Sequence, residues 1–153
     1  MMRRRCDLAI AALILALAAL APGLAGAKPK KVVPQAGTYG APAGSKPAGG
    51  AAVKKKGGKA TVSFTFPVTY QCDDGFAVPL EFGFEAPIKG VKFSTTGTTD
   101  DAVLGEYTFK VKGEFTSATA LKGTYSVEGE GTVAGTSTHC ASGTVAFKMV
   151  RTS

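Results

Sequence analysis

From Ala60 onward the sequence alternates apolar and polar residues with a period of two, the pattern of strands with one face buried and one face wet. Val62, Phe64 and Phe66 alternate with Ser63 and Thr65, and Leu80, Phe82 and Phe84 with Glu81, Gly83 and Glu85. Val91 and Phe93 flank Lys92; Tyr107, Phe109 and Val111 alternate with Thr108, Lys110 and Lys112. Tyr125 and Val127 alternate with Thr124, Ser126 and Glu128, and Val145, Phe147 and Met149 with Ala146 and Lys148. Glycines and prolines punctuate these runs, and no stretch after residue 27 carries a helical period. The pattern predicts an all-β fold: a single antiparallel β-sandwich of about seven or eight strands, with a closed β-barrel as the alternative. In either, the alternating aromatics fill the core, which is why they are read as packing residues and not as a binding stripe.

The N-terminus has a different character. Arg3, Arg4 and Arg5 precede an apolar run from Leu8 to Ala21, Pro22-Gly23 breaks it, and Ala25 and Ala27 put small residues where a signal peptidase reads. Residues 1–27 are expected to form a signal helix and be cleaved after Ala27. The run has 14 residues, whereas crossing the hydrocarbon core takes roughly 20, so no transmembrane anchor is expected after cleavage. Lys28 stands where a lipoprotein would need cysteine, and Cys6 lies before the apolar run, which excludes a lipobox.

Cleavage also simplifies the cysteines. Of the three, Cys6 leaves with the leader, and Cys72 and Cys140 remain as an even pair bound for an oxidising compartment. They are expected to form a disulfide, worth ~4 kcal/mol through loop closure in the chain-entropy model. A thiolate metal site is a weaker reading: no C-x-x-C spacing occurs, and His139 is the single histidine.

Residues 28–59 hold eight lysines and no acidic residue, a net +8, whereas residues 60–153 hold seven basic and ten acidic residues, a net −3. The first segment is rich in Lys, Gly, Pro and Ala and reads as a flexible, disordered arm, with a short first strand over 37–41 that would dock Tyr39. The domain organisation expected is therefore signal peptide 1–27, arm 28–59 and β-sandwich 60–153. Lys54, Lys55, Lys56 and Lys59 of the arm are the candidate contacts to an anionic membrane surface or cell-envelope polymer. Nucleic acid is not expected as a partner of an exported chain.

Gly37-Thr38-Tyr39, the run Thr61–Phe66 leading to Tyr70-Gln71-Cys72, Ala86-Pro87-Ile88-Lys89 with Phe93-Ser94, Gly113–Ser117, and Cys140–Phe147 together resemble small secreted β-sandwich proteins of high-GC Gram-positive bacteria. The likeness spans roughly residues 37–151. It implies secretion, the fold and the disulfide, and it carries no functional residues. The Lys/Gly-rich insertion at 40–59 departs from that group.

Catalytic constellations are weak. Glu81 and Glu85 share a face but stand ~13 Å apart along a strand, too far for a glycosidase pair. Glu128 and Glu130 are closer, ~6.6 Å, but lie in a Glu-Gly-Glu-Gly stretch. His139 and Cys140, as strand neighbours, point to opposite faces. Asp73-Asp74-Gly75 and Asp100-Asp101 lack calcium-loop spacing and read as turn residues. The chain has no Trp and no Asn, which weakens a lectin-like reading, although Tyr39, Tyr70 and Phe76 are candidate exposed aromatics. No cofactor is implied. The function expected is a secreted or envelope-associated, non-catalytic binding or structural domain, the alternative being a small secreted hydrolase or inhibitor.

Overall fold

A computed structural model describes residues 31–101, 105–133 and 135–153. The expected signal peptide, with its Ala25 and Ala27 cleavage motif and Cys6, lies outside the described residues. Residues Val32–Ser153 form one compact unit. Among the described residues nine strands build it: β1 (Gly37–Gly40), β2 (Gly50–Lys56), β3 (Lys59–Cys72), β4 (Ala77–Lys89), β5 (Lys92–Asp101), β6 (Gly105–Ser117), β7 (Ala120–Val133), β8 (Thr136–Ala141) and β9 (Val145–Arg151). The all-β, antiparallel expectation holds, with nine strands in place of seven or eight.

The strands belong to one hydrogen-bonded sheet in the order β2-β1-β9-β7-β6-β5-β4-β3-β8, and β2 also pairs with β3 and β7 with β8. The sheet folds over so that strands remote in its order face each other across the core. Phe66 of β3 stacks on Tyr125 of β7 at 4.5 Å between ring centroids and lies 4.9 Å from Phe147 of β9. Alternation explains this interior. Val62, Phe64, Phe66, Val68, Tyr70 and Cys72 of β3 are all buried, as are Phe82, Phe84 and Ala86 of β4, while the residues between them are exposed or half-buried. Pro67 is tolerated in the middle of β3 because the partners on that side, β2 and β8, reach only Thr65 and Gln71; its carbonyl accepts from the Tyr125 hydroxyl at 3.3 Å.

The disordered arm expected over 28–59 is corrected by the structure across its described part. Gly50–Lys56 pairs along its whole length with Lys59–Thr65, and Gly37–Gly40 pairs with both β2 and β9. Composition concealed this because the inward positions of β2 are only Ala51 and Val53, both buried. Gly57 and Gly58 (φ 57° and 76°) supply the two consecutive left-handed residues of a tight hairpin turn. The folded unit therefore begins well before the expected boundary at residue 60. The short first strand is confirmed, and Tyr39 is 2% exposed, its hydroxyl donating to the Gln35 carbonyl at 2.7 Å, with the Ala118 carbonyl at 3.2 Å.

Cys72 and Cys140 are bonded, with Cα atoms 3.9 Å apart. They are direct cross-strand partners of β3 and β8, so the bridge fixes the short strand β8, rather than the start of β9, to the end of β3. The long strands β4 and β5 are loosely joined for their length. β4 and β5 pair only at Ile88–Phe93 and Lys89–Lys92, and beyond those residues Phe84 of β4 packs against Phe109 of β6, ring centroids 4.7 Å apart.

Candidate functional site

The outward positions of β5, β6, β7 and β9 carry the residues of interest. Register places Lys92, Glu114, Lys122 and Lys148 in one row across these four strands, and Ser94, Lys112, Thr124 and Ala146 in another. Between the rows lies an inward-facing row, Phe93-Gly113-Gly123-Phe147, in which two glycines face each other and each is flanked by a buried phenylalanine. A Cβ on Gly113 would come within 2.4 Å of the Phe93 ring and 2.3 Å of the Lys122 carbonyl oxygen; one on Gly123 would come within 2.6 Å of the Phe147 ring and 2.4 Å of the Lys112 carbonyl oxygen. The sheet approaches its own core here as only glycine permits.

Above this row lies a groove of about 810 Å3, floored by the glycine backbone and walled by Lys92, Lys112, Lys122 and Lys148 together with Ser45 and Lys46 of the β1–β2 loop. A second depression of about 620 Å3 continues it past Ser94, Lys112 and Thr124 to Thr96, Lys110, Ser126 and Thr144. Two carboxylates temper the charge: Glu114 pairs with Lys122 at 3.2 Å and Glu128 with Lys110 at 3.4 Å. Both pairs are exposed, so each is worth only about 0–1 kcal/mol and yields readily to another anion. Among the described residues, Lys46, Lys92, Lys112 and Lys148 have no ion-pair partner.

The lysines expected on the arm belong to the same end of the molecule. Lys54, Lys55, Lys56 and Lys59 are exposed on the β2–β3 hairpin. Lys55 pairs with Ala60, Ala60 with Ile88 and Ile88 with Phe93, so this tip and the Lys89–Lys92 turn sit at the level of the groove. At the opposite end, the row Thr99-Tyr107-Gly129-Cys140-Cys72 leads to Asp73, Asp74, Asp100, Glu106 and Glu130. The charge split read along the chain is thus also a split along the strands.

The other candidates resolve individually. Glu81 and Glu85 are exposed on β4, and Glu85 accepts from Ser63 at 3.3 Å. Glu128 and Glu130 face solvent with separate partners: Lys110 for the first, and Ser137 at 3.3 Å and His139 Nδ1 at 3.6 Å for the second. His139 points outward while Cys140 is buried in the disulfide, the opposed facing that alternation requires. Asp73-Asp74-Gly75 is a turn, in which the Asp74 carboxylate accepts from the Phe76 amide at 3.1 Å. Among the described residues, no group of three or more His, Cys, Asp or Glu converges as a metal site would require.

Of the three candidate exposed aromatics, Tyr39 and Tyr70 are buried and Phe76 is 58% exposed. Burial pushes the Tyr70 hydroxyl well above the usual phenol range, with Tyr107 and Glu128 adding to it. Its oxygen is the one buried side-chain polar atom without a hydrogen-bond partner among the described residues. The strand lysines Lys92, Lys112, Lys122 and Lys148 were not singled out by the sequence. The available signal was that polar positions between 92 and 148 carry lysine where those between 61 and 87 carry Ser, Thr and Glu. The chain matches no protein-family model, no curated protein and no solved structure.

Proposed function

We propose that the chain is a secreted or envelope-associated, non-catalytic binding domain that docks its lysine-rich end on an anionic surface. The observation that carries this reading is the concentration of exposed lysines on two hairpin tips and one sheet face, within a folded unit (residues 32–153) that holds twelve basic and ten acidic residues, a net +2. Such segregation gives an orienting field that the same small net charge spread evenly would not. It also replaces the flexible tether with a preorganised surface, so less side-chain and backbone entropy is lost on contact.

Retention of residues 28–153 on purified envelope tests it. The bound fraction should fall as salt rises from roughly 0.05 to 0.5 M, and Lys54→Gln, Lys55→Gln and Lys56→Gln together should reproduce that loss at low salt. Retention indifferent to salt and to these substitutions would sink the reading.

A second reading, an inhibitor, has one observation in its favour. The Asp73–Phe76 turn presents an exposed aromatic and is braced by Cys72, whose amide donates to the Phe76 carbonyl at 2.9 Å. Inhibition of secreted hydrolases that is lost in Phe76→Ala but kept in the lysine variant would favour it.

A further inference from the structure

We infer that the groove over Gly113 and Gly123 is a binding site for a single extended chain of a phosphate-bearing polyanion, which runs between the lysine walls while the hairpin tips meet the bulk surface. This rests on the reading of the chain as an anion-binding domain and assigns the ligand class to a particular place in it.

Three observations select that occupant. First, the lysines stand on opposite sides of a depression: Lys46 comes from the β1–β2 loop beside β9, and Lys92 and Lys112 from β5 and β6. A flat bilayer contacts ridges and tips, whereas a flexible chain can lie between two walls. Second, every cation of the groove is lysine, and no arginine lines it. The ammonium group is a point charge with three rotatable donors, so it can follow phosphates at varied positions along a flexible chain. Third, the groove is lined by the hydroxyls of Ser94 and Thr124, and the adjoining depression, which shares Ser94, Lys112 and Thr124 with it, adds those of Thr96 and Ser126. Hydroxyls at successive positions can bond the neutral linking units of such a polymer as well as its phosphate oxygens. The two depressions adjoin through Ser94, Lys112 and Thr124, which fits a repeating ligand better than a single compact ion.

The residues that shape the floor differ from those that would hold the ligand. Gly113 and Gly123 are structural, and substitution there risks the fold. Lys112 and Lys148 are exposed and make no ion pair among the described residues, so their loss leaves packing untouched.

The experiment measures binding of a fluorescent linear polyphosphate, a poly-glutamate of matched charge, and phosphatidylglycerol vesicles. The proteins are residues 28–153 unchanged, the groove variant Lys112→Gln/Lys148→Gln, and the tip variant Lys54→Gln/Lys55→Gln/Lys56→Gln. For polyphosphate, the groove variant should bind about tenfold more weakly, and its slope of log affinity against log salt should fall by about 1.4, at 0.7 for each lost phosphate contact. The tip variant should bind polyphosphate within about twofold of the parent protein while losing vesicles, a division expected if contacts at separate sites act independently. Polyphosphate should outcompete poly-glutamate. Polyphosphate binding lost in the tip variant and kept in the groove variant overturns the groove assignment while leaving the surface reading intact, as does equal or tighter binding of poly-glutamate. No binding of polyphosphate, vesicles or envelope by the unchanged protein overturns both.

Discussion

The β3–β4 hairpin and the β5–β6–β7–β9 face build their inner surfaces in different ways. In β3–β4, aromatic sits opposite aromatic: Phe64 pairs with Phe84 and Phe66 with Phe82. In the second region aromatic sits opposite glycine: Phe93 with Gly113, Phe109 with Gly97, Tyr107 with Gly129 and Phe147 with Gly123. Each of these glycines is a place where a Cβ would come within 3.0 Å of its partner. The aromatic covers its glycine neighbour, and the strands come closer to the core than two full side chains would permit. The outer surfaces differ correspondingly. Inside their end residues Lys59, Ala77 and Lys89, β3 and β4 expose only Thr, Pro, Gln, Glu and Gly83, whereas the glycine-lined region carries the lysine groove. The lesson is that an inner-face glycine in a strand can shape the opposite, solvent face, and that the two faces of one strand must be read together.

Four measurements break or sharpen that comparison. The largest effect is expected at Phe66, fully buried and the ring that joins the two regions through Tyr125 and Phe147. Phe66→Ala should cost about 3–5 kcal/mol in urea unfolding; a cost under about 1 kcal/mol would mean the two regions do not share a core. Next, Gly113→Ala and Gly123→Ala should each cost about 1–3 kcal/mol through overpacking. Gly83→Ala on β4, where the added Cβ meets nothing nearer than 3.9 Å, should be neutral or slightly stabilising. Equal costs at the three glycines would remove the distinction drawn above.

Alkaline pH gives a smaller, graded effect. Burial raises the Tyr39, Tyr70 and Tyr125 phenols above their ordinary value of 10.0. The folded state therefore favours the neutral phenol: this contribution is fully present below about pH 10 and is lost as pH rises through the raised folded values. Urea midpoints should fall steadily above about pH 10, and Tyr70→Phe should flatten the fall. At neutral pH the same substitution should be close to neutral or stabilising, because it removes a buried hydroxyl that has no partner. A slope that Tyr70→Phe leaves unchanged would remove Tyr70 from the account. The smallest effect is expected on the outer faces, where Lys112→Gln and Glu81→Gln should each change stability by no more than about 0.5 kcal/mol. A larger loss for Lys112→Gln alone would make that lysine a structural residue.

Much of the fold was legible. Alternation placed the inward faces of β3, β4, β6, β7 and β9, because strands with one apolar face leave little freedom of register, and the two cysteines of the domain were paired correctly because, with Cys6 assigned to the leader, only one pairing was left. β2 was missed because Gly50-Ala51-Ala52-Val53 followed by three lysines buries two small side chains and shows no strong alternation; its strand state is set by pairing with β3. Gly57-Gly58 between two lysines was the local hairpin signal that could have corrected this. The groove was less legible than the fold, since it depends on Lys92, Lys112, Lys122 and Lys148 meeting across four strands. Each lysine taken alone is an ordinary solvated position, and only the register of β5, β6, β7 and β9 makes them neighbours.

The loose join between β4 and β5 gives the folded chain a preferred direction of breathing. β1–β9 and β3–β8 also pair at only two positions each, but they involve the short strands β1 and β8; between the long strands, the edge of β4 from Ala77 to Pro87 has no ladder to β5 among the described residues, and Phe84 reaches past β5 to Phe109 of β6. Fluctuations should open the domain there as a book opens, with the Lys89–Lys92 turn as its spine, and backbone amides on the two facing edges should exchange with solvent before those of β6 or β7. Pro79 and Pro87 on β4 have no N–H to offer a foreign strand, so this opening need not invite aggregation.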